Sequence, residues 1–488
     1  MTAALGGPRQ WRSTLRRAAV AGLAGLSLGL SASATDLDLS LPDLGRPASD
    51  TLSLGEEARM GQEMMREIRR RITLVEDPAV NAYIRDLGGR IASVSDRPAG
   101  FYRFFVIDDD RINAFALPGG YIGLNSGLIV QGRTESELGG VIAHEVAHIT
   151  QRHIARRMEV AERTGIRTAA LVLAGLLIGT QDPQAGMATA TTGMAAGVDT
   201  QLRYSREHEL EADRVGIRML ADADLNPDGM ADFFKLLDDE SRYRSAAPSF
   251  LSTHPLTEMR LAEARERGEA LRGGTPFESP DHAYIRARLQ VQAADQAEDA
   301  LARFNDALED DPDHPGARYG LALALIRDNR PDEAIEQLQS LRDAVGDHAL
   351  HYLGLAEAEK AARRDEAAVA WIEEGLSLFP GDEALRYTLA EIRLLADEPS
   401  RARRVSSELV SERDDAPELW ALHARVTREA GDEAASILAT ARFYAVQADF
   451  EAALSQLNRL DGLPLTSRQR ARADDLRERW RDRLSRQE

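Results

Sequence analysis

The chain has 488 residues, enough for two or three domains; its 43% hydrophobic content supplies packed cores, and its 5% aromatic share with plentiful Ala and Leu points to helix. It contains no cysteine, which excludes disulfides, a thiol nucleophile, a Cys-ligated zinc and a lipid anchor on an N-terminal cysteine. A formal net charge of −20 argues against nucleic acid and anionic membrane faces as partners.

At the N-terminus, Arg9, Arg12, Arg16 and Arg17 precede the apolar run Ala18–Leu30, which closes on Ala32-Ser33-Ala34. A basic start, a short apolar middle and a small-residue end predict a secretory signal peptide over residues 1–34. The apolar run falls short of the roughly 20 residues a membrane span needs, so an uncleaved anchor is the weaker reading. Cleavage after Ala34 removes four arginines and no acid, leaving 56 basic against 80 acidic residues, a net charge of −24. An exported, cysteine-free protein fits the bacterial periplasm. Residues 35–52 read as a linker.

Residues 144–148 read His-Glu-Val-Ala-His, behind the one-sidedly apolar Glu137-Leu-Gly-Gly-Val-Ile-Ala143. On a helix His144 and His148 share one face, one turn apart, a spacing that lets both imidazoles bind one Zn²⁺. Glu145 then sits beside the metal and is placed to act as general base. A catalytic zinc keeps three protein ligands and one open position. The helical stretch Tyr204–Gly216, with Leu210, Ile217 and Leu220 as its apolar side, offers Glu209 as the third ligand and Asp213 one turn on. Asp213 is expected to accept the free ring N–H of a ligating histidine and fix its tautomer. A lone His-Glu-x-x-His arises by chance in Ala/Glu-rich helices; the flank and the downstream Glu-x-x-x-Asp make the pair specific. Glu207 and Glu211 read as surface charges, His153 as an ordinary helix-surface residue, and His208 as turned away from the metal.

Between the two site helices lies Thr164–Leu202, with the apolar run Ala169–Ile178 and then a Gly/Ala/Met/Thr-rich stretch. It is too short to span a bilayer; a buried helical hairpin is the preferred reading, a mobile flap or a contact with membrane or unfolded client the alternative. Helices are predicted over Met230–Arg242 and Thr257–Leu271, with Thr253-His254-Pro255-Leu256 between them. From about Asp281 alanines recur at Ala300, Ala334, Ala367 and Ala402, separated by 34, 33 and 35 residues. That period with helix–turn–helix chemistry resembles tetratricopeptide repeats, in which small residues sit where paired helices approach. Pro417 starts a helix ending at Gly431-Asp432, and Asp449-Phe450-Glu451-Ala452 opens another, 50 residues past Ala402, so an extra helix is expected here. Ser467–Arg486, with Ala473, Leu476 and Trp480 on one face, reads as a solenoid cap.

The combination of Asn113-Ala-Phe-Ala-Leu-Pro-Gly-Gly-Tyr-Ile-Gly-Leu-Asn-Ser-Gly-Leu128, the His-Glu-Val-Ala-His motif and Ser205-Arg-x-x-Glu-x-Glu-Ala-Asp213 resembles the HtpX and CAAX-prenyl-protease superfamily of zinc metallopeptidases, over roughly residues 53–270. The His254-Pro255 turn and the C-terminal repeats resemble its periplasmic BepA/YfgC-type branch. The resemblance implies a mainly α protein: a gluzincin-like α+β zinc peptidase domain at 53–272, a linker at 273–282, and a tetratricopeptide-repeat α-solenoid at 283–488 with a C-terminal capping helix. It implies one Zn²⁺ per chain held by His144, His148 and Glu209, endopeptidase activity, and an extended edge over Ile112–Leu124 beside the metal. Members with transmembrane helices carry them in the interval that is short here, which favours a soluble enzyme. His254 is expected near the zinc, either as a fourth ligand that keeps the enzyme latent or as an oxyanion stabiliser. As partners the resemblance implies unfolded or misassembled β-barrel outer-membrane proteins and their assembly machinery, no nucleic acid and at most peripheral membrane contact. The chain would degrade such clients, its repeats recruiting them; the alternative is a chaperone or assembly scaffold whose peptidase site is normally latent.

Overall fold

Ser53 accepts a hydrogen bond from the Glu56 N–H at 3.2 Å while its own N–H donates to the Glu56 carboxylate at 2.8 Å. This reciprocal capping box launches helix α1, Leu54–Arg71. The computed structural model describes residues 53–163, 198–243, 248–273 and 279–485. The expected signal peptide, the linker that follows it and residues 164–197 of the Ala/Gly-rich interval lie outside these. Helix α2, Pro78–Ser93, is capped by Asp77, whose carboxylate accepts from the Ala79 and Val80 N–H groups, with Pro78 supplying the preset first turn.

Three short strands follow: β1 Arg103–Ile107, β2 Ala114–Leu117 and β3 Tyr121–Asn125. Their order is β1-β3-β2; β1 runs parallel to β3 with Arg103 opposite Tyr121, and β2 antiparallel to it with Leu117 opposite Tyr121. The stretch expected to be one extended edge is therefore two strands, with β2 at the edge and β3 in the middle of the sheet. The fold back occurs at Pro118-Gly119-Gly120, where both glycines take positive φ (75° and 87°), a region that strains any residue with a Cβ. A Cβ on Gly120 would also lie 2.3 Å from the Phe101 carbonyl oxygen.

Helix α3, Ser126–Gln131, leads into α4, Glu135–Thr150, and after a break comes α5, His153–Arg163. A long helix, Val198–Asp222, packs along α4, and Gly229–Tyr243 closes its other side. Ser249–His254 flank the single turn Phe250–Thr253, and Thr257 caps helix Glu258–Leu271 by accepting from the Arg260 N–H. No helix among the described residues is long and apolar enough to cross a membrane.

From Asp281 the chain is an array of antiparallel helix pairs running to Ser485. Ala300, Ala334, Ala368 and Ala402 are fully buried, each 34 positions after the last. Ala368, not the neighbouring half-exposed Ala367, takes the interior slot, so the repeat is more regular than the alanines alone suggested. Helices Pro417–Glu429 and Glu433–Val446 both fall between the helix bearing Ala402 and Phe450–Asn458. This is one helix more than a single repeat step needs, and it accounts for the long Ala402–Ala452 interval. Ala473, Leu476 and Trp480 of Ser467–Ser485 are buried in a small separate core with Phe450 and Leu457.

Peptidase and repeat portions share one continuous core. Arg288, from helix Asp281–Ala293, donates 2.8 Å bonds to Asp77 at the head of α2 and to Glu357 in the repeats. Arg85 of α2 pairs with Glu383 and Glu418 of the repeat helices. Buried guanidinium–carboxylate bridges of this kind fix register between the two portions, because breaking one strands a buried charge.

Candidate metal centre

Thr134 caps α4 by accepting from the Glu137 N–H, and the helix is buried over nearly its whole length. Its motif is thereby held rigidly in the core. His144 and His148 stand one turn apart with their Nε2 atoms 3.0 Å from each other. The facing helix Val198–Asp222 comes close because Gly216 lies against the backbone of His144; a Cβ there would meet the His144 nitrogen at 3.1 Å. That approach delivers Glu209 and Asp213 to the same side. His254 enters from the end of the Phe250–Thr253 turn, its ring stacked on Phe250 at 4.5 Å, and the Phe250 N–H is tied to the Ile112 carbonyl just ahead of β2.

One ligand-capable atom from each of His144, His148, Glu209 and His254 lies within 4.8 Å of the others, and all four residues are buried. His254 Nδ1 is 3.0 Å from Glu209 Oε2 and 3.2 Å from His144 Nε2. Glu209 Oε2 is 3.4 Å from His144 Nε2, and Oε1 is 3.6 Å from His148 Nε2. The charge around this cluster fits a divalent cation. Glu145, Glu209 and Asp213 are three buried carboxylates, and among the described residues Arg260 is the one guanidinium buried with them. Arg157 reaches Glu209 only from a partly exposed position 3.8 Å away. Burial opposes a charged His144, yet Asp213 and Glu209 outweigh it and raise its pKa to about 9. The site thus favours added positive charge, and its donors are nitrogen and carboxylate oxygen, the set that suits Zn²⁺ in a cysteine-free chain.

Around the cluster a further layer orients the rings. His144 Nδ1 lies 3.0 Å from Asp213 Oδ1, an ion-pair contact rather than a well-aligned hydrogen bond. Asp213 is held in turn by Arg260, whose Nε and Nη2 donate to its two oxygens at 2.7 Å each. Arg260 also approaches Glu209 at 3.2 Å and donates to the Pro255 carbonyl at 2.9 Å, so it ties the His254 loop to both acids. Glu145 is 1% exposed, and its Oε1 has no hydrogen-bond partner; His254 Nε2 stands 3.4 Å from it without hydrogen-bond alignment.

His153 is not on the surface. It is 1% exposed, its Nδ1 is 2.8 Å from His148 Nδ1, and its Nε2 is 3.2 Å from Glu211. Arg156 holds Glu211 at 2.8 Å, and the buried His208 ring stacks on His153 at 4.2 Å. Burial first, then the neighbouring His208, push His153 down to about 3, which leaves it neutral. The surface reading of His153 is therefore corrected: it stands behind His148 and reaches Glu211, which is partly exposed and paired with Arg156 as a surface charge, while His208 stacks on His153 outside the ligand cluster, turned from the metal as expected. Glu207 is exposed, as expected of a surface charge. His153 and Arg260 were missed as site residues, and no motif spacing marked them.

Residues 78–268 match the family model described as peptidase family M48, and residues 292–358 and 361–426 match a tetratricopeptide repeat model. The chain is 33% identical over 462 residues to the beta-barrel assembly-enhancing protease of Escherichia coli (strain K12), with 93% of each chain covered. It is 34% identical over 460 residues to the putative beta-barrel assembly-enhancing protease of Vibrio cholerae, covering 92% of this chain and 94% of that one. Over 233 residues, 46% of this chain and 65% of the other, it is 26% identical to the mitochondrial metalloendopeptidase OMA1 of Schizosaccharomyces pombe.

Proposed function

The chain belongs to peptidase family M48, with tetratricopeptide repeats behind the peptidase, and from that premise we propose that it is a periplasmic zinc endopeptidase acting on misassembled β-barrel outer-membrane proteins. The observation that carries this reading is the burial, in one cluster, of His144, His148 and Glu209 with Glu145 beside them. His144, His148 and Glu209 would hold the ion. Zinc bound there supplies Lewis acidity that polarises a scissile carbonyl and lowers the pKa of water towards neutrality.

The chain's own residues do the rest. Glu145, buried with one oxygen unpartnered, takes a proton from the attacking water and returns it to the leaving amine. Asp213, clamped by Arg260, holds the His144 ring, and His153 with Glu211 holds the His148 ring. A client strand is proposed to add along β2, the sheet edge packed on α4. His254 Nδ1 sits among the ligand atoms, which favours a latent state with His254 as fourth ligand over an oxyanion role.

The division proposed is a signal peptide at 1–34, a peptidase at 53–272 and repeats at 283–488, the repeats recruiting clients or assembly machinery. The alternative, a chaperone or assembly scaffold whose peptidase site is normally latent, is not favoured, since each group that hydrolysis needs is present and buried in place. The test is to incubate the purified mature chain with a urea-unfolded β-barrel protein and with the same protein folded in detergent. Fragments from the unfolded form alone, abolished by chelator, are expected; cleavage of neither form, or of the folded barrel, would refute the client assignment.

A further inference from the structure

On the opposite side of the sheet from β2, the outer edge of β1 faces a cleft of about 860 Å³ whose far wall is formed by repeat residues including Tyr387, Pro417 and Phe443. Two features of this cleft are only partly used within the fold. The first is charge. Six arginines line it against the three carboxylates Glu76, Asp415 and Glu418, in a chain whose overall charge is −20. Several of those arginines are committed: Arg85 to Glu383 and Glu418, Arg413 to Asp86, and Arg71 to Glu67. Arg69 and Arg103 are not. Arg69 Nη1 is buried with no hydrogen-bond partner, and Arg103 lies over the Tyr121 ring at 5.6 Å with no carboxylate in ion-pair reach among the described residues. A buried donor left unsatisfied is costly, and an anion reaching Arg69 Nη1 would satisfy it.

The second feature is backbone. Along β1, the Val106 carbonyl accepts from Val75 at 2.9 Å and the Asp108 N–H donates to Thr73 at 3.0 Å, so the even-numbered residues point away from β3. By the alternation of the strand Phe104 points outward as well. Its N–H and carbonyl have no partner among the described residues, and Phe104 lines the cleft. Half of this sheet edge is thus capped by residues 73–75 and half is open.

We propose that the cleft binds an extended acidic peptide segment, its backbone pairing with Phe104 and a side-chain carboxylate resting on Arg69, with Arg103 alongside. Strand addition supplies affinity that is indifferent to sequence, and the guanidinium pair supplies the preference for acid. Because β1 and β2 are opposite edges, the cleft holds a segment away from the metal, as a retaining site that does not cut. This inference does not depend on the peptidase reading.

The test uses the full mature chain carrying Glu145→Gln and fluorescein-labelled, C-terminally amidated Glu-Val-Glu-Val-Glu-Val, followed by anisotropy. The Glu-Val peptide is expected to bind, and its Gln-Val counterpart to bind at least about tenfold more weakly, the scale of one charge-assisted hydrogen bond. A similar loss is expected in Arg69→Gln, in Arg103→Gln, which is exposed and safe for folding, and on N-methylating alternate amides of the peptide. Arg69→Gln should leave the melting temperature of the peptide-free protein unchanged or raised, whereas a purely structural arginine would lower it. Equal binding of the Gln-Val peptide, unchanged affinity in both variants, or binding only by a peptide with a free C-terminal carboxylate would overturn the proposal.

Discussion

The Nδ1 atoms of His148 and His153 lie 2.8 Å apart, although the two residues are five positions apart in a stretch that reads as continuous helix. On an unbroken helix they would point in different directions. The chain instead breaks after Thr150, and Arg152 takes a positive φ of 54°, held there by its 2.6 Å pair with Glu57 of α1. The break swings His153 back behind the motif. A neutral His153 can accept at Nδ1 and donate at Nε2 to Glu211, which fixes the His148 ring with Nε2 aimed at the cluster. His153→Ala is therefore expected to weaken zinc binding by about 10- to 100-fold. Competition against a chromogenic chelator measures this; an unchanged affinity would reduce His153 to packing.

His254→Ala should raise casein cleavage severalfold while zinc stays bound, because His144, His148 and Glu209 remain. An oxyanion role predicts the opposite sign, so a rate comparison at saturating zinc separates the two. Unchanged cleavage would sink both.

Arg260 is 3% exposed and makes two 2.7 Å bonds to the buried Asp213. Arg260→Met leaves that carboxylate buried with only the His144 ring beside it, a loss of about 3–5 kcal/mol. Arg260→Lys keeps the charge but not the fork and should recover part of it. Urea unfolding of the three proteins gives the values; a methionine variant as stable as wild type would contradict this account of the site.

Stability should fall on mild acidification through histidines far from the metal. Burial holds His282, His351 and His423 down at about 4. Unfolded histidine titrates near 6.5. Between about pH 6.5 and 4 the unfolded chain binds protons that the fold refuses, so stability is full above that window and declines through it as pH drops. His282→Gln can still donate to the Gly132 carbonyl that His282 meets at 3.1 Å. Its drop in melting temperature from pH 7.5 to 5 should be smaller than that of the wild type. An equal drop would assign the acid sensitivity to other groups.

Local spacing made much of this protein legible. His144 and His148 at one turn, Glu209 and Asp213 at one turn on a second helix, and a 34-residue alanine period each depend only on helix geometry, which sequence carries directly. The His254 loop came from likeness to a family, not from spacing. What stayed hidden needed long-range geometry. The His153 relay depends on a helix break stabilised from α1, and the Arg260 clamp joins residues 47 positions apart. The Arg288 bridge to Asp77 spans 211 positions. The choice of Ala368 over Ala367 turned on a rotation of a single residue along one helix.

The proposed hydrolysis rests on proton transfer by Glu145 beside a zinc that His144, His148 and Glu209 would hold. Its most direct test is zinc content and casein cleavage of the mature chain beside Glu145→Gln. One zinc in each protein, with cleavage reduced about 10²- to 10⁴-fold in the variant, is the predicted result. Cleavage that survives Glu145→Gln, or a wild-type protein that binds no zinc, would contradict it.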